Sequence, residues 1–66
     1  MNVVINGDAK EVGVDATLAS VLHDFGVPER GVAVAVDGAV VPRASWAGTA
    51  LEPGAAIEIL TAVQGG

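Results

Sequence analysis

The chain opens on an alternating run, with Val3 and Ile5 on one side and Val4 and Asn6 on the other, and the alternation resumes at Val12 and Val14. Strict alternation over a few residues marks a half-buried strand. Between the runs stands Asn6-Gly7-Asp8, and Asn-Gly flanked by alternating apolar positions is the strongest short-range hairpin signal. The pattern predicts an antiparallel pair with Val3, Ile5, Val12 and Val14 on one buried face. The period then changes. Leu18, Val21, Leu22 and Phe25 fall at i, i+3, i+4 and i+7, the spacing of one helical face. Thr17, with Asp15 as competitor, supplies the N-cap. Gly26 followed by Pro28 supplies the stop. At about two turns the helix needs a sheet to pack against.

Gly31 is followed by Val32-Ala33-Val34-Ala35-Val36, an unbroken apolar run that reads as a central strand covered on both faces. Asp37-Gly38 predicts a second hairpin returning through Ala39-Val40-Val41, and Pro42, which has no N–H for a ladder, ends it. Residues 43–50 form a connection with room for a short helical turn near Ser45-Trp46-Ala47. Glu52-Pro53-Gly54 makes a last turn before Ile57-Glu58-Ile59-Leu60-Thr61-Ala62-Val63, with Ile57 and Ile59 on one face and Glu58 and Leu60 on the other. The order β-β-α-β-β-turn-β predicts an α+β roll, a mixed sheet of four to five strands packed on one helix. It makes one domain over residues 1–63, with 64–66 as a flexible tail.

Composition narrows how such a fold is held. A chain of 66 residues buries a thin core, and with no cysteine it has no disulfide or thiolate metal site to reinforce it. Packing is left, and the 52% hydrophobic content, mostly Val and Ala, suits it. The formal charge of −5, with Lys10, Arg30 and Arg43 far apart, gives no footprint for phosphate backbones, so nucleic-acid binding is not expected. No apolar run approaches the roughly 20 residues of a membrane span. Met1-Asn2-Val3-Val4 lacks the basic start of a signal peptide, so the expected location is the cytoplasm.

Chemistry concentrates at Val63-Gln64-Gly65-Gly66. An α-carboxylate is ionised at neutral pH and a poor acceptor for nucleophiles. Adenylation by ATP would turn it into an acyl group with a good leaving group, and a sulfur nucleophile could then displace AMP to leave a thiocarboxylate. Glycine at both last positions lets the tail thread a narrow channel and approach a nucleotide closely. No phosphate-binding loop, nucleotide fingerprint or metal cluster in the chain could perform the activation. The chain reads as a substrate of an enzyme, with no catalytic residue of its own.

Over its whole length the chain resembles the ThiS family of bacterial sulfur carriers, ubiquitin-like β-grasp proteins of thiamine biosynthesis. The resemblance rests on Asn6-Gly7, the Thr17-Leu18 helix start, Val32-Ala33-Val34-Ala35-Val36, Val41-Pro42-Arg43 with Trp46, and Ile57-Glu58-Ile59 leading to Ala62-Val63-Gln64-Gly65-Gly66. It implies a β-grasp fold and a cycle. A ThiF-type adenylyltransferase would use ATP and Mg to adenylate Gly66, and a cysteine desulfurase relay would install sulfur. The thiocarboxylate would then pass to thiazole synthase, ThiG. Two positions depart from the family pattern: Asp37-Gly38 replaces the frequent Asn-Gly, and Gly54-Ala55-Ala56 lacks the acidic residue that commonly follows the glycine.

Other functions share these features. A carrier for molybdopterin or cysteine assembly would use the same tail, a ubiquitin-like modifier would link it to lysines, and a β-grasp binding module would leave it inert. Among single residues, His23 reads as a solvated helix position and Trp46 as packing at the open end of the core. Leu60 and Arg43 are the candidate partner contacts, Leu60 because the sheet face away from the helix is open.

Overall fold

The computed structural model describes residues 1–61, and in it the last strand draws two hairpins and one helix into a single sheet. The first hairpin pairs β1 (Asn2–Ile5) with β2 (Asp8–Glu11) through a two-residue turn, Ile5 facing Asp8. Asn6 at φ 50° and Gly7 at φ 88° make it a type I′ turn, the one whose twist suits a hairpin. The turn is shorter than Asn6-Gly7-Asp8 and moves the second strand forward. Val14 therefore lies beyond β2 at 78% exposure instead of on the buried face, while Val12 packs partly against the core. β2 reads Asp-Ala-Lys-Glu and lies at the sheet edge, where charged side chains discourage pairing with another chain.

Helix α1 spans Leu18–Asp24 and is capped at both ends. Thr17 Oγ1 accepts from the Ser20 N–H at 3.1 Å, and Ser20 Oγ accepts from the Thr17 N–H at 3.0 Å, a reciprocal capping box. At the other end Gly26 takes φ 74°, the Val27 N–H donates to Leu22 O and the Gly26 N–H to His23 O, closing a Schellman motif. Leu18, Val21 and Leu22 are buried as the spacing predicts. Phe25 is not: it is the C-cap residue, where the chain has left helical geometry, and it is 44% exposed with Lys10 Nζ 5.9 Å from its ring centroid.

The second hairpin joins β3 (Val32–Val36) to β4 (Ala39–Val40) through Asp37-Gly38, with φ 52° and 87°, again type I′. A 3₁₀ helix over Arg43–Gly48 follows and carries Trp46 into the core, its Nε1–H donating to the Val41 carbonyl at 2.9 Å. Residues 49–51 then run beside the start of α1: Leu18 donates to Thr49 O and Leu51 to Ala16 O. The Ala55 N–H bonds Glu52 O across a turn with Pro53 second and Gly54, at φ 83°, third, the type II arrangement.

Strand β5 (Ala56–Thr61) lies between the hairpins, parallel to β1 and antiparallel to β3, giving the order β2-β1-β5-β3-β4. The central strand is thus β5, and β3 is covered on one face only. Its unbroken apolar run alternates Val32, Val34 and Val36 toward the core with Ala33 and Ala35 on the open side, where Ala33 is exposed. The core under the sheet gathers Val3, Val34 and Ile57 with Leu18, Val21, Leu22, Trp46, Leu51 and Ala55. Among the described residues no helix is long and apolar enough to cross a membrane.

Candidate functional site: the open sheet face and the root of the tail

Register assigns every strand residue to one of two faces, because directly paired residues point the same way. Ile57 and Ile59 share the core face with Val36 and Val34, while Glu58 and Leu60 share the open face with Ala35 and Ala33. Across the other pairings the open face continues through Val40 on one side and Val4, Ala56, Ala9 and Glu11 on the other. This surface is apolar and low, built largely from alanine and valine, with Leu60 standing 66% exposed and Val40 73% exposed. Its charged side chains, Glu11 and Glu58, are both acidic. Such a face complements an apolar partner surface edged with basic groups.

Leu60 holds the position the alternation predicts, next to the end of the described chain. Arg43 is exposed at the first residue of the 3₁₀ helix and has no carboxylate within salt-bridge distance among the described residues. Val63, Gln64, Gly65 and Gly66 lie outside the described residues, as does the predicted extension of the last strand to residue 63. The site that the structure describes is therefore the root of the tail: the second half of β5 and what holds it.

Two turn side chains bond β5: Asn6 in its second half, at the root, and Asp37 at its first residue, away from the root. Asn6 Oδ1 accepts from the Ile59 N–H at 2.8 Å, Asn6 Nδ2 donates to the Ile59 carbonyl at 3.3 Å, and Asp37 Oδ1 accepts from the Ala56 N–H at 2.9 Å. Both were legible as turn residues, since Asn and Asp tolerate positive φ. Their reach to a third strand depends on β5 arriving from more than fifty positions away in the case of Asn6. On the helix side, an open groove of about 590 Å³ is lined by Val14 and Phe25 together with Asp15 and Asp24. His23 is solvent-exposed, 3.8 Å from Asp24, and stands apart from the tail root.

Comparison with known proteins agrees with this geometry. The crystal structure of the thiamine biosynthesis protein ThiS from Geobacter metallireducens superposes with a TM-score of 0.85 at 28% identity, covering all of both chains. A solution structure of a thiamine biosynthesis protein from the same organism gives 0.80 at 28% identity, covering all of this chain and 88% of that one. A thiazole synthase of Paramagnetospirillum magneticum is 35% identical over 66 residues, and this chain spans 20% of its length. The model of the ThiS family matches residues 3–66, which takes in every strand, the helix and the tail. With its β-grasp architecture and that match, the chain belongs to the ThiS family of small thiamine-biosynthesis proteins.

Proposed function

We propose that this protein is the sulfur carrier of thiazole formation, acting in the cytoplasm with Gly66 as the modified residue. The observation that carries the reading is the family match running through β5 to residue 66, so that the root described above and the Gly-Gly end belong to one matched unit. In the proposed cycle a carboxylate oxygen of Gly66 attacks the α-phosphorus of Mg-bound ATP on a ThiF-type adenylyltransferase, and pyrophosphate leaves. The outer sulfur of a persulfide supplied by a cysteine desulfurase relay then attacks the acyl carbon and AMP leaves; a thiol next cleaves the S–S bond of the acyl persulfide, itself becoming a disulfide, and releases the thiocarboxylate. Val63, Gln64 and Gly65 thread the partner's channel, where glycine's missing Cβ lets the backbone come close to the nucleotide. The chain is the substrate throughout, and the ATP and Mg belong to the partner.

The open face is the docking surface in this reading. Leu60 and Val40 offer the apolar contact and Glu58 favours a basic-edged partner, while Arg43, exposed on the 3₁₀ helix, is a second candidate contact. Delivery to thiazole synthase, ThiG, draws support from the Paramagnetospirillum relative, a thiazole synthase of which one part aligns with the whole of this chain.

Intact-mass measurement tests the proposal. Incubation with a ThiF-type adenylyltransferase and ATP-Mg should add one AMP, and protein isolated from cells should include a species with one oxygen replaced by sulfur. Deletion of Gly66 should abolish both. Conjugates to lysines of other proteins would mark a modifier instead, and sulfur transfer to a molybdopterin synthase in preference to thiazole synthase would move the carrier to another pathway.

A further inference from the structure

Both hairpin turns begin with a residue at positive φ whose side chain bonds the central strand, and the two do so at different points along β5. Asp37 meets Ala56, where β5 begins. Asn6 meets Ile59, halfway along it. In a parallel ladder a residue donates to one neighbour on the next strand and accepts from the residue two further on. Asn6 donates its own N–H to the Ile57 carbonyl at 2.9 Å and accepts the Ile59 N–H with its side-chain oxygen. The amide takes over one rung of the ladder after β1 has turned away into the hairpin. Its orientation follows from the pairing, since the Ile59 N–H requires an oxygen and the Ile59 carbonyl an N–H.

We propose that Asn6 is a positioning residue for the tail: it fixes the Ile59 peptide, and thereby the root from which residues 62–66 depart. The proposal rests on the sulfur-carrier reading given above. Beyond Ile59 the described pairings of β5 are with β3 alone, Ala33 to Leu60 and Val32 to Thr61. Asn6 is therefore the last hold on the β1 side among the described residues. A carboxylate that must reach a nucleotide in a partner enzyme reacts at a rate set by how well its approach is defined, and a misplacement of about 1 Å costs up to about a hundredfold. The chemistry also separates the two turns. Asp37 only accepts, so asparagine can replace it. Asn6 accepts and donates, so aspartate there sets a carboxylate oxygen against the Ile59 carbonyl.

Four variants test this with the full chain. Asn6→Gly and Asp37→Gly keep positive φ without strain and remove one clamp each; Asn6→Asp and Asp37→Asn keep the side-chain shape and change the donor and acceptor pattern together with one unit of charge. Each is measured for kcat/KM of ATP-dependent adenylation by a ThiF-type adenylyltransferase, for urea midpoint, and for amide hydrogen exchange at Ile59. The expected result is about a tenfold loss of kcat/KM, worth about 1.4 kcal/mol, with faster Ile59 exchange, in Asn6→Gly and Asn6→Asp. Asp37→Gly, with a similar change in urea midpoint, should retain kcat/KM within about twofold, and Asp37→Asn should match the wild type. Equal losses of kcat/KM in Asn6→Gly and Asp37→Gly, or no loss in Asn6→Gly, would overturn the positioning role. A wild-type chain that accepts no AMP would instead refute the carrier reading on which it rests.

Discussion

The two faces of the sheet are made from nearly the same residue types and behave as opposites. On the core face Val3, Val34 and Ile57 are buried under α1 and Trp46, and each side chain is held from several directions. On the open face Val4, Ala33, Ala35 and Leu60 come from the same strands, often from adjacent positions, and Val40 joins them from β4, with no second layer above them among the described residues. Burial, not residue identity, separates fold from encounter here. The difference teaches where to read function in so small a chain. A residue that the fold does not need, yet that is large and apolar beside the last described residues, is where the proposed carrier function would place a partner contact.

The sharpest way to break this contrast is to cut the same chemistry from each face. Ile57→Ala empties a core position near the start of the central strand, at 1% exposure, and should cost about 2–5 kcal/mol. A domain of this size has about 3–10 kcal/mol in all, so urea titration should show it close to unfolding. Next, Trp46→Phe keeps most of the apolar volume but strands the Val41 carbonyl that Nε1–H serves, and should lower the urea-derived stability by about 1–3 kcal/mol. Thr17→Ala removes half of the capping box and should cost about 1 kcal/mol, read as a lower Tm with adenylation unchanged. Smallest for the fold is Leu60→Ser, expected within about 0.5 kcal/mol of the wild type, yet lowering kcat/KM for adenylation about tenfold. Were Leu60→Ser to destabilise the domain as much as Ile57→Ala, the two faces would not differ in the way described.

Local features of this fold were legible wherever neighbours in sequence decide them. The places of both hairpin turns, the Thr17 cap, the Gly26 stop, the short helical turn around Trp46 and the facing of Ile57, Ile59 and Leu60 all follow from spacing. What misled was contact across distance. Val12 and Val14 alternate like a strand, but the two-residue turn at Asn6-Gly7 commits the preceding polar stretch to pairing, and an edge strand needs no apolar face of its own. The unbroken run of β3 looked central because small alanines on an open face hide the exposure that larger polar residues would announce. Phe25 kept the helical spacing while the Schellman motif turned the chain beneath it. For the site, the docking candidate Leu60 was readable and the clamps were not, because Ile59 lies far along the chain from Asn6.

The place of β5 also dictates how the protein comes into being. Residues 2–11 and 32–40 can each close a two-stranded hairpin early in synthesis, but such hairpins are marginal in water by themselves. They share no pairing with each other; both attach to residues 56–61. On an elongating ribosome the sheet must therefore wait for residues 56–61, and its closure depends on contacts of long sequence separation, which slow folding. A nascent chain cut short before β5 leaves loose hairpins for proteases to clear. The strand that completes the sheet is also the last of the described residues, so the two hairpins stay unjoined until residues 56–61 have been made.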